Sequence, residues 1–596
     1  MKNRGVLGTG RLLLSAGLLV LLGACATQIP LAQQAQTSAW TPRPVASQPA
    51  RQAAVTAHLL ATKAALAMLE QGGSPIDAAI AAQMVLGLVE PQSSGIGGGS
   101  LIMHWDAASA KLTSYDGLAA APASVTAALN IDVDGSMLKY DDVQRGGRTV
   151  GVPGTLAVLK QVHERYGKLP WESLFAPAIG LAEKGFPMPA YLHTVLSSAS
   201  AAKDHPDMVP LYFGADGKVR PVGATLAHPA YALTLRRVAA RGPAALWQDG
   251  AGRALVESAQ RGFRPTLMTE ADLPAYRSEE RDPLCAPFLV YSVCAMGPSS
   301  FGGVMVLQML QMLQMLESRP LAGQQGLKFS FDDPEFVHFY AEAGRLAQAD
   351  REQYVGDPGF VRVPTASLLT PAYVRQRTQL ISPERMTKDV KAGVVSVNVA
   401  ASELMAAPPS DVADATSQIA IVDAAGNALS MTTTNNLNFG SRLMVDGFVL
   451  NNAMTNFSTA PRAGQAAPNR MQAGKRPVTS MAPTIVFDRN GKVVVVGGSA
   501  GGGQIVDYIT ASLIEMLANQ LSPAEALARG HVSTAVRGKL QLERGSSAAT
   551  QAAALAAKGH ALDIVPMTSG LGFLMRREGG WLGAADPRRD GVALGW

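Results

Sequence analysis

Two β-hairpins in the last third of the chain constrain its fold most strongly. In the first, strand-like residues 419–422 and 428–434 flank a turn at 424–427. In the second, residues 484–488 and 492–497 flank Asn490-Gly491, and Asn-Gly is a strong hairpin signal. Hairpins pair their strands antiparallel, and helical patterns lie beside both. We therefore predict an α/β (α+β) fold built as a layered sandwich.

Helical periodicity covers much of the rest of the chain, and residues 151–408 are mainly helical by pattern. Ser74 and Pro75 are typical of the start of a helix, and Ser522 with Glu525 is typical of a capping box. The repeated Gln-Met-Leu triplet within 304–317 predicts a buried core helix. The helices that we predict from these patterns span 53–71, 74–88, 304–317 and 509–520, with a further helix from Ser522 that ends at Gly530.

Composition excludes several functional classes. Of the 596 residues, 47% are hydrophobic and 16% are charged, which is typical of a globular protein. The net charge of +5 is spread along the chain without a dense basic block, so we predict no nucleic-acid partner. The nine histidines are scattered, and neither HExxH nor CxxC occurs. We therefore predict no metal and no cofactor.

The N-terminus predicts export. Lys2 and Arg4 precede a short apolar run, which is too short for a comfortable transmembrane helix. The run ends in Leu-Gly-Ala-Cys at 22–25, which resembles a bacterial lipobox. We predict a lipoprotein-type signal over 1–25, lipidation of Cys25 and a flexible tether over 26–52. The protein would then be periplasmic and anchored to the outer membrane; an ordinary secretory signal with an unrelated cysteine is the alternative.

The two remaining cysteines, Cys285 and Cys294, flank an apolar run that is typical of one strand. In an oxidising periplasm they could form a local disulfide. The ends of a fully extended strand lie too far apart for this bond, so a disulfide would need a bend near Pro287. Two buried free thiols are the alternative.

The residues that open the first hairpin have the chemistry of a self-activating nucleophile. Thr416 stands at the head of the first strand, and threonines 432–434 end the strand that returns beside it. A hydrolase with an N-terminal nucleophile needs such a hydroxyl. The chain is cut before the threonine, and the freed α-amino group then acts as base for its own side chain. The pKa of an α-amino group is about 7.7–8.0, which suits this role.

Several motifs, in their order along the chain, resemble the γ-glutamyltransferase (γ-glutamyltranspeptidase, glutathione hydrolase) family of N-terminal-nucleophile hydrolases. Besides the threonine region, they are GGSPIDAAIAA from Gly72, EPQSSGIGGGS from Glu90, GVPGT from Gly151, AEAGRLAQADR from Ala341, KRPVTSMAPTIV from Lys475, GSAGGGQI from Gly498 and the C-terminal GAADPRRD. The resemblance covers about 53–596. It implies a four-layer αββα sandwich and a precursor that cuts itself between Ala415 and Thr416. The large-subunit region would be 53–415 and the small-subunit catalytic region 416–596, and we expect the two fragments to stay associated.

The resemblance also implies roles for single residues. Thr416 would be the nucleophile and Thr434 the threonine that hydrogen-bonds it. The backbone amides of Gly501 and Gly502 would hold the oxyanion. The positions implied to contact substrate are Asn436, Asn456, Thr479 and Ser480.

The departures from the family pattern cluster where substrate is recognised. Leu118 occupies the position of the arginine that pairs with the glutamyl carboxylate, and Ala119 that of the neighbouring glutamate. Asn456 replaces the acidic residue for the amino group, and Ala453 replaces a glutamine. The lid segment 457–475 is shorter than usual and has no tyrosine. A charge-assisted contact is worth about 1.5–3 kcal/mol, so these changes predict weaker γ-glutamyl selectivity and a less polar acyl group.

Arg145 or Arg148 could restore the missing cation, and the sequence cannot place either of them. Three hypotheses therefore remain. The first is a periplasmic amidohydrolase or transferase for small γ-glutamyl compounds, such as glutathione, or related amides. The second is an acylase of the same family, and the third is a catalytically silent, lipid-anchored binding protein on the same fold.

Overall fold

The structure is a computed structural model of the chain. It describes residues 49–126, 142, 144–198, 203, 205–261, 264–318, 327–395, 415–458 and 467–596. The predicted signal, Cys25 and most of the predicted tether lie outside the described residues. Within those ranges, no helix has both the length and the apolar character needed to cross a membrane.

The first hairpin lies at the centre of a seven-stranded sheet in which every neighbouring pair is antiparallel. The strands, in order across the sheet, are Val592–Gly595, Ala53–Thr56, Ser417–Val422, Ala428–Thr434, Gly99–Asp106, Lys111–Gly117 and Glu279–Arg281. The predicted hairpin is thus confirmed.

The second predicted hairpin is also confirmed, and it lies in a six-stranded antiparallel sheet. In order, its strands are Gly580–Ala585, Gly572–Arg577, Val493–Gly498, Thr484–Phe487, Tyr291–Ala295 and Leu284–Phe288. Three smaller sheets consist of Phe186–Pro187 with Thr225–Leu226, Met444–Val445 with Phe448–Val449, and Val532–Ser533 with Leu540–Glu543 and Leu562–Val565.

Helices cover the outer faces of both large sheets. The α-helices are Leu59–Glu70, Pro75–Val89, Thr155–Tyr166, Ala176–Lys184, Ala190–Ser198, Val209–Tyr212, Pro229–Arg241, Ala251–Gln260, Asp272–Ala275, Gly302–Glu317, Pro334–Tyr354, Thr365–Leu368, Pro371–Thr378, Ile505–Leu517, Pro523–Leu527, Ser547–Thr550 and Ala552–Ala557.

Three hydrophobic cores show that the arrangement has four layers. Helices between Leu59 and Gln260 in the chain pack on Ile419 and Leu429 of the seven-stranded sheet. Helices such as Gly302–Glu317 pack on the six-stranded sheet. Between the sheets, alternate residues such as Ala420 meet Ile485 of the opposite sheet. Because side chains alternate along a strand, each sheet fills one core on either face. The predicted αββα sandwich is confirmed.

The helix predicted over 53–71 is wrong in its first part. Ala53–Thr56 is a buried strand with neighbours on both sides, and the helix is Leu59–Glu70. The alanine-rich sequence fits helical spacing, but pairing with two strands satisfies the same backbone groups and buries all four residues. The helix predicted over 509–520 is displaced, since it spans Ile505–Leu517.

The other helix signals are confirmed. Ser74 caps Pro75–Val89 with Asp77 as the reciprocal partner, and Ser522 forms the same capping box with Glu525. The helix that begins after Ser522 ends at Leu527, three residues before the end predicted at Gly530. The Gln-Met-Leu repeat lies in the buried helix Gly302–Glu317.

Residues 284–295 form a tight hairpin, so the single strand predicted between the two cysteines is wrong. Leu284–Phe288 pairs with Tyr291–Ala295, and Cys285 stands opposite Cys294. The two cysteines are joined in a disulfide. The chain turns at Leu289, whose φ is +55°, two residues beyond the bend expected at Pro287. Antiparallel pairing brings together residues that a continuous strand would hold apart.

Both large sheets contain strands from each side of the Ala415–Thr416 bond. Ala53–Thr56 lies between Ser417–Val422 and Val592–Gly595, and Ala428–Thr434 pairs with Gly99–Asp106. In the other sheet Thr484–Phe487 pairs with Tyr291–Ala295. A cut at this bond would therefore leave both large sheets hydrogen-bonded across it.

Candidate active site

The register of the first hairpin brings Thr416 and Thr434 together. Thr433 stands opposite Ser417, and each earlier pair follows the same register. The next pair outward is therefore Thr434 and Thr416. Both side chains share the face of Thr432 and Gln418, which hydrogen-bond each other between the two large sheets. Alternation thus directs both threonine hydroxyls to the mouth of the inter-sheet space.

Thr416 is almost fully buried, with 3% of its surface exposed. Its Oγ donates to Thr434 Oγ over 3.1 Å and also lies in short contact with the carbonyl oxygen of Ala415. The hydroxyl is therefore next to the peptide bond that the proposed cut would break.

Thr434 connects three groups of the site. Its Oγ donates to the Ala415 carbonyl oxygen over 2.8 Å and accepts from Thr416 Oγ. It also accepts the backbone N–H of Asn436 at 2.8 Å. A hydroxyl that contacts both an attacking hydroxyl and the carbonyl under attack can orient one and stabilise charge on the other.

Asn436 extends this network towards the predicted substrate side. Its side-chain amide donates to Thr455 Oγ at 2.8 Å and to the Asn452 carbonyl at 3.1 Å. Asn456 follows Thr455 at the end of a short 3₁₀ turn and is only partly buried. Asn436 and Asn456 therefore border the same space.

The turn that contains Gly501 and Gly502 follows the central strand Val493–Gly498 of the opposite sheet. Their φ angles are +132° and +54°, which L side chains rarely adopt. A Cβ on Gly501 would lie 2.4 Å from the ring of Tyr508. Only glycine fits both the backbone angle and the space.

The Thr479-Ser480 pair lies against this turn. Ser480 Oγ donates to the Gly502 carbonyl oxygen at 2.5 Å, and both residues are 8% exposed. Thr479 Oγ accepts the N–H of Met481 at 3.2 Å, and its carbonyl accepts the N–H of Phe301. The structure thus brings Ser480 and Gly502 together, whereas the hydrogen bonds of Thr479 hold the backbone around it.

Arg589 connects the glycine turn with Thr416. Its guanidinium donates to the Thr416 carbonyl oxygen at 3.1 Å and to the Thr568 carbonyl. It packs on Gly570, which exchanges backbone hydrogen bonds with Ala500. Since Ala500 precedes Gly501, the turn is fixed beside the head of the strand Ser417–Val422.

A second glycine-rich turn, at 95–100, crosses the site closely. A Cβ on Gly98 would lie 2.2 Å from the carbonyl oxygen of Thr434, and a Cβ on Gly97 would lie 2.1 Å from that of Val449. Two backbone segments therefore cross closely at this turn, and a side chain has no room there.

The position at which the resemblance predicts a substrate-binding arginine in the family is apolar in this chain. Leu118 is 5% exposed and packs in the hydrophobic core. Arg476 lies nearby, but its guanidinium pairs with Asp116 at 3.3 Å and with Glu279 at 2.5 Å. Asp116 also binds Arg281 and the N–H of Leu118. The charge of Arg476 is therefore balanced within the protein.

An apolar cluster occupies the space around the other departures. Its buried members are Ala121, Val125, Met454, Phe457 and Met471, with Ala453 packed against them. A Cβ on Gly151 would meet both Met454 and Ala119, so the alanines at the two departure positions border this cluster.

Arg145 follows Gln144 in a loop that contacts Asn452. The Asn452 side chain donates to the carbonyl of Gln144 at 2.7 Å, which fixes the loop next to the Asn436 network. Arg145 itself is 3.9 Å from Asp142, and its side chain is 44% exposed. Arg148 follows in a 3₁₀ turn.

Two residues that contact Thr416 or Ser417 were not predicted. Arg589 lies in the GAADPRRD motif and Glu90 opens the EPQSSGIGGGS motif, but the sequence analysis assigned neither a role. Glu90 contacts Ser417, next to Thr416. For Glu90 the available signal was a charged residue that opens a glycine-rich motif, whereas Arg589 is one of four charged residues in its motif and gave no such signal. Within the described ranges, no three His, Cys, Asp or Glu side chains group to hold a metal ion.

The fold and this constellation define an N-terminal-nucleophile hydrolase. The family profile described as Gamma-glutamyltranspeptidase matches residues 61–596. The chain belongs to the gamma-glutamyltranspeptidase family and is a self-processing enzyme.

The chain is similar both to glutathione hydrolase proenzymes and to acylase proenzymes. It is 31% identical to a glutathione hydrolase proenzyme of Bacillus subtilis (strain 168), over 91% of this chain and 90% of the relative. It is 33% identical to the acylase ACY 1 proenzyme of Pseudomonas sp. (strain SE83), over 91% and 92%. A cephalosporin acylase from Bacillus halodurans shares the fold, with a TM-score of 0.77 and 24% identity over 94% of this chain and 98% of the other.

Proposed function

We propose that the chain cuts itself between Ala415 and Thr416 and then uses Thr416 to transfer the acyl group of an amide. The observation that carries this proposal is the Thr434 hydroxyl, which holds both Thr416 Oγ and the Ala415 carbonyl oxygen. Thr416 Oγ attacks the Ala415 carbonyl carbon, and the C–N bond breaks as the hydroxyl proton passes to the Thr416 nitrogen, so that an ester and a free Thr416 amine form. Water opens the ester and leaves a free carboxyl on Ala415 and the hydroxyl of Thr416.

The mature enzyme repeats this chemistry on its substrate. The Thr416 amine takes the proton of its own hydroxyl as Oγ attacks the substrate carbonyl, and it gives that proton to the leaving amine. The amides of Gly501 and Gly502 receive the oxyanion. Water or a second amine then releases the acyl group. The close fit of the glycine turn against Tyr508 and Ser480 supports a preorganised oxyanion site.

The substrate is a small γ-glutamyl compound, such as glutathione, or a related amide. Among these, the site favours acyl groups less polar than γ-glutamyl. Leu118 contributes no charge, and the cluster of Met454, Phe457 and Met471 lies where the family pattern expects polar recognition. Losing a charge-assisted contact costs about 1.5–3 kcal/mol, which corresponds to about 10-fold to 150-fold in affinity.

The protein acts outside the cytoplasm. The apolar N-terminal run and the Leu-Gly-Ala-Cys string at 22–25 support export and a lipid on Cys25. We expect the protein on the periplasmic side of the outer membrane, joined to its lipid by the segment 26–52, with 53–415 and 416–596 as its two fragments.

A panel of p-nitroanilides with γ-glutamyl, glutaryl and simple acyl groups tests the specificity. We expect kcat/KM for the best less polar anilide to exceed that for the γ-glutamyl anilide by about tenfold or more. A micromolar KM for the γ-glutamyl anilide, together with the highest kcat/KM of the panel, would contradict the apolar assignment. The Thr416→Ala variant is the control and should cleave none of them.

A further inference from the structure

A buried carboxyl group lies beside the head of the nucleophile strand and has no part in the mechanism above. Glu90 ends the helix Pro75–Val89 as its cap and is 1% exposed. One oxygen, Oε2, accepts the Ser417 hydroxyl at 2.7 Å, and Ser417 accepts Ser94 Oγ at 3.0 Å. Among the described residues, Glu90 Oε1 has no hydrogen-bond partner. Burial of a carboxyl that has a single hydroxyl as its hydrogen-bond partner costs free energy.

The charges around Glu90 come from the C-terminal segment. Arg589 and Asp590 act on it, and Arg589 also donates to the Thr416 carbonyl. Burial raises the pKa of Glu90 to about 7, and Asp590 adds to this, whereas Arg589 and the Ser417 hydroxyl lower it. The carboxyl therefore changes its charge in the range where an α-amino group also titrates.

We propose that Glu90 is a positioning residue whose carboxylate, held across Ser417 from the nucleophile, sets the proton affinity of the Thr416 α-amino group. This rests on the proposed self-cleavage, which creates that amine. The amine becomes an ammonium when it takes the Thr416 hydroxyl proton, and a nearby negative charge stabilises that ammonium. Glu90 therefore strengthens the base, while Arg589 acts in the opposite sense. The Glu90 carboxyl and the Thr416 ammonium therefore titrate as a coupled pair.

The test is the pH profile of kcat/KM for the matured enzyme with the best p-nitroanilide. Glu90→Gln keeps the shape and removes the charge. Because an ammonium without its anion loses its proton more easily, we expect the acid limb to move down by about one pH unit. The plateau should fall as well, since the base is weaker.

Two variants make the result specific. Ser417→Ala leaves Glu90 in place and removes the hydroxyl that stabilises its carboxylate, so the limb should move the same way by a smaller amount. Asp350→Asn is the matched control: this buried carboxyl pairs with Arg377 on another helix, and its loss should leave the limb in place.

The outcomes separate the two proposals. A wild-type chain that is not cut before Thr416 overturns the proposed function itself. If the wild type is cut and active, an acid limb that stays in place in Glu90→Gln overturns only the role of Glu90. Should Glu90→Gln fail to fold or to cut itself, an unchanged limb in Ser417→Ala overturns that role, and a lowered limb supports it.

Discussion

Among single residues, Thr434 has the contacts that the first reaction most needs. Its hydroxyl donates to the Ala415 carbonyl oxygen, on which negative charge would develop during the self-cleavage. It also accepts the hydroxyl of Thr416 and the N–H of Asn436, so its own proton points at that carbonyl. The contacts are already made in the uncut chain, so no reorganisation is needed before attack.

We therefore predict that Thr434→Val slows self-cleavage by about 10²–10³, the usual cost of one oxyanion donor. The rate can be followed on denaturing gels after rapid purification. Thr433→Val is the matched control, because that hydroxyl faces the other side of the strand and accepts from Ser100. Equal rates in the Thr434 variant and the wild type would contradict the assigned contact.

Sequence reasoning predicted part of this site. Thr416, Thr434 and Asn436 lie close in the chain, and one hairpin register brings them together. Glu90 contacts Ser417, which lies 327 residues away in the chain. Arg589 contacts Thr416, which lies 173 residues away. No local pattern sets such distances, since they depend on which strands become neighbours across the sheet. Arg145 shows the same limit, because only the packed loop places it near Asn452.

At the scale of elements, the glycine turn after Val493–Gly498 combines two constraints. Gly501 has a φ of +132° and lies against Tyr508. A Cβ on Gly503 would instead lie 3.5 Å from Ala535, which is an ordinary van der Waals distance. Neighbouring glycines of one turn therefore differ sharply in what they tolerate.

This difference gives a matched pair of variants. We predict that Gly501→Ala lowers kcat/KM by about 10²–10³, because the Cβ must displace Tyr508 or the turn and so misplace an oxyanion donor. Gly503→Ala should stay within about threefold of the wild type, since it meets no close neighbour. Steady-state assays with one anilide on both matured proteins give the comparison. Similar losses in both variants would mean that the turn is merely fragile.

Secondary structure was predictable where local signals agreed with the final packing. Ser74 and Ser522 supply caps that work within four residues, and Gly491 closes its turn locally. The strand Ala53–Thr56 and the hairpin at 284–295 were missed because each depends on partners distant in sequence or on a turn without glycine, asparagine or proline at Leu289. Tertiary pairing overrode local propensity in both places.

At the scale of the whole molecule, buried histidines make the fold sensitive to acid. Burial lowers the pKa of His58, His104, His228 and His560 to about 4. Between pH 6.5 and 4 the folded chain then binds fewer protons at these sites than the unfolded chain, so stability falls as the pH falls. Glu90 and Asp507, whose pKa values burial raises, act in the opposite direction but are fewer.

We predict that the melting temperature falls between pH 7 and pH 4.5. Each proton that the unfolded chain binds in excess of the folded chain changes the free energy of unfolding by about 1.4 kcal/mol per pH unit. His104→Phe should reduce the fall in melting temperature, because one titrating group is lost while an aromatic ring still contacts Tyr166. Calorimetry of both proteins across this range provides the measurement. A melting temperature that rises steadily towards pH 4.5 would contradict the buried neutral histidines.

The interleaved strands make the self-cleavage compatible with one folded enzyme. Because strands from 53–415 pair with strands from 416–596 in both large sheets, breaking one peptide bond removes none of the cross-strand pairs. The two fragments should migrate together under native conditions and separate only in denaturant.

Mass spectrometry and N-terminal sequencing of the purified wild-type protein, beside Thr416→Ala, test the central claim most directly. We predict two wild-type fragments that co-elute in gel filtration, the smaller one beginning at Thr416, and a single intact chain for the variant. An intact wild-type chain with no cut at this bond, or a small fragment that begins at another residue, would contradict the account.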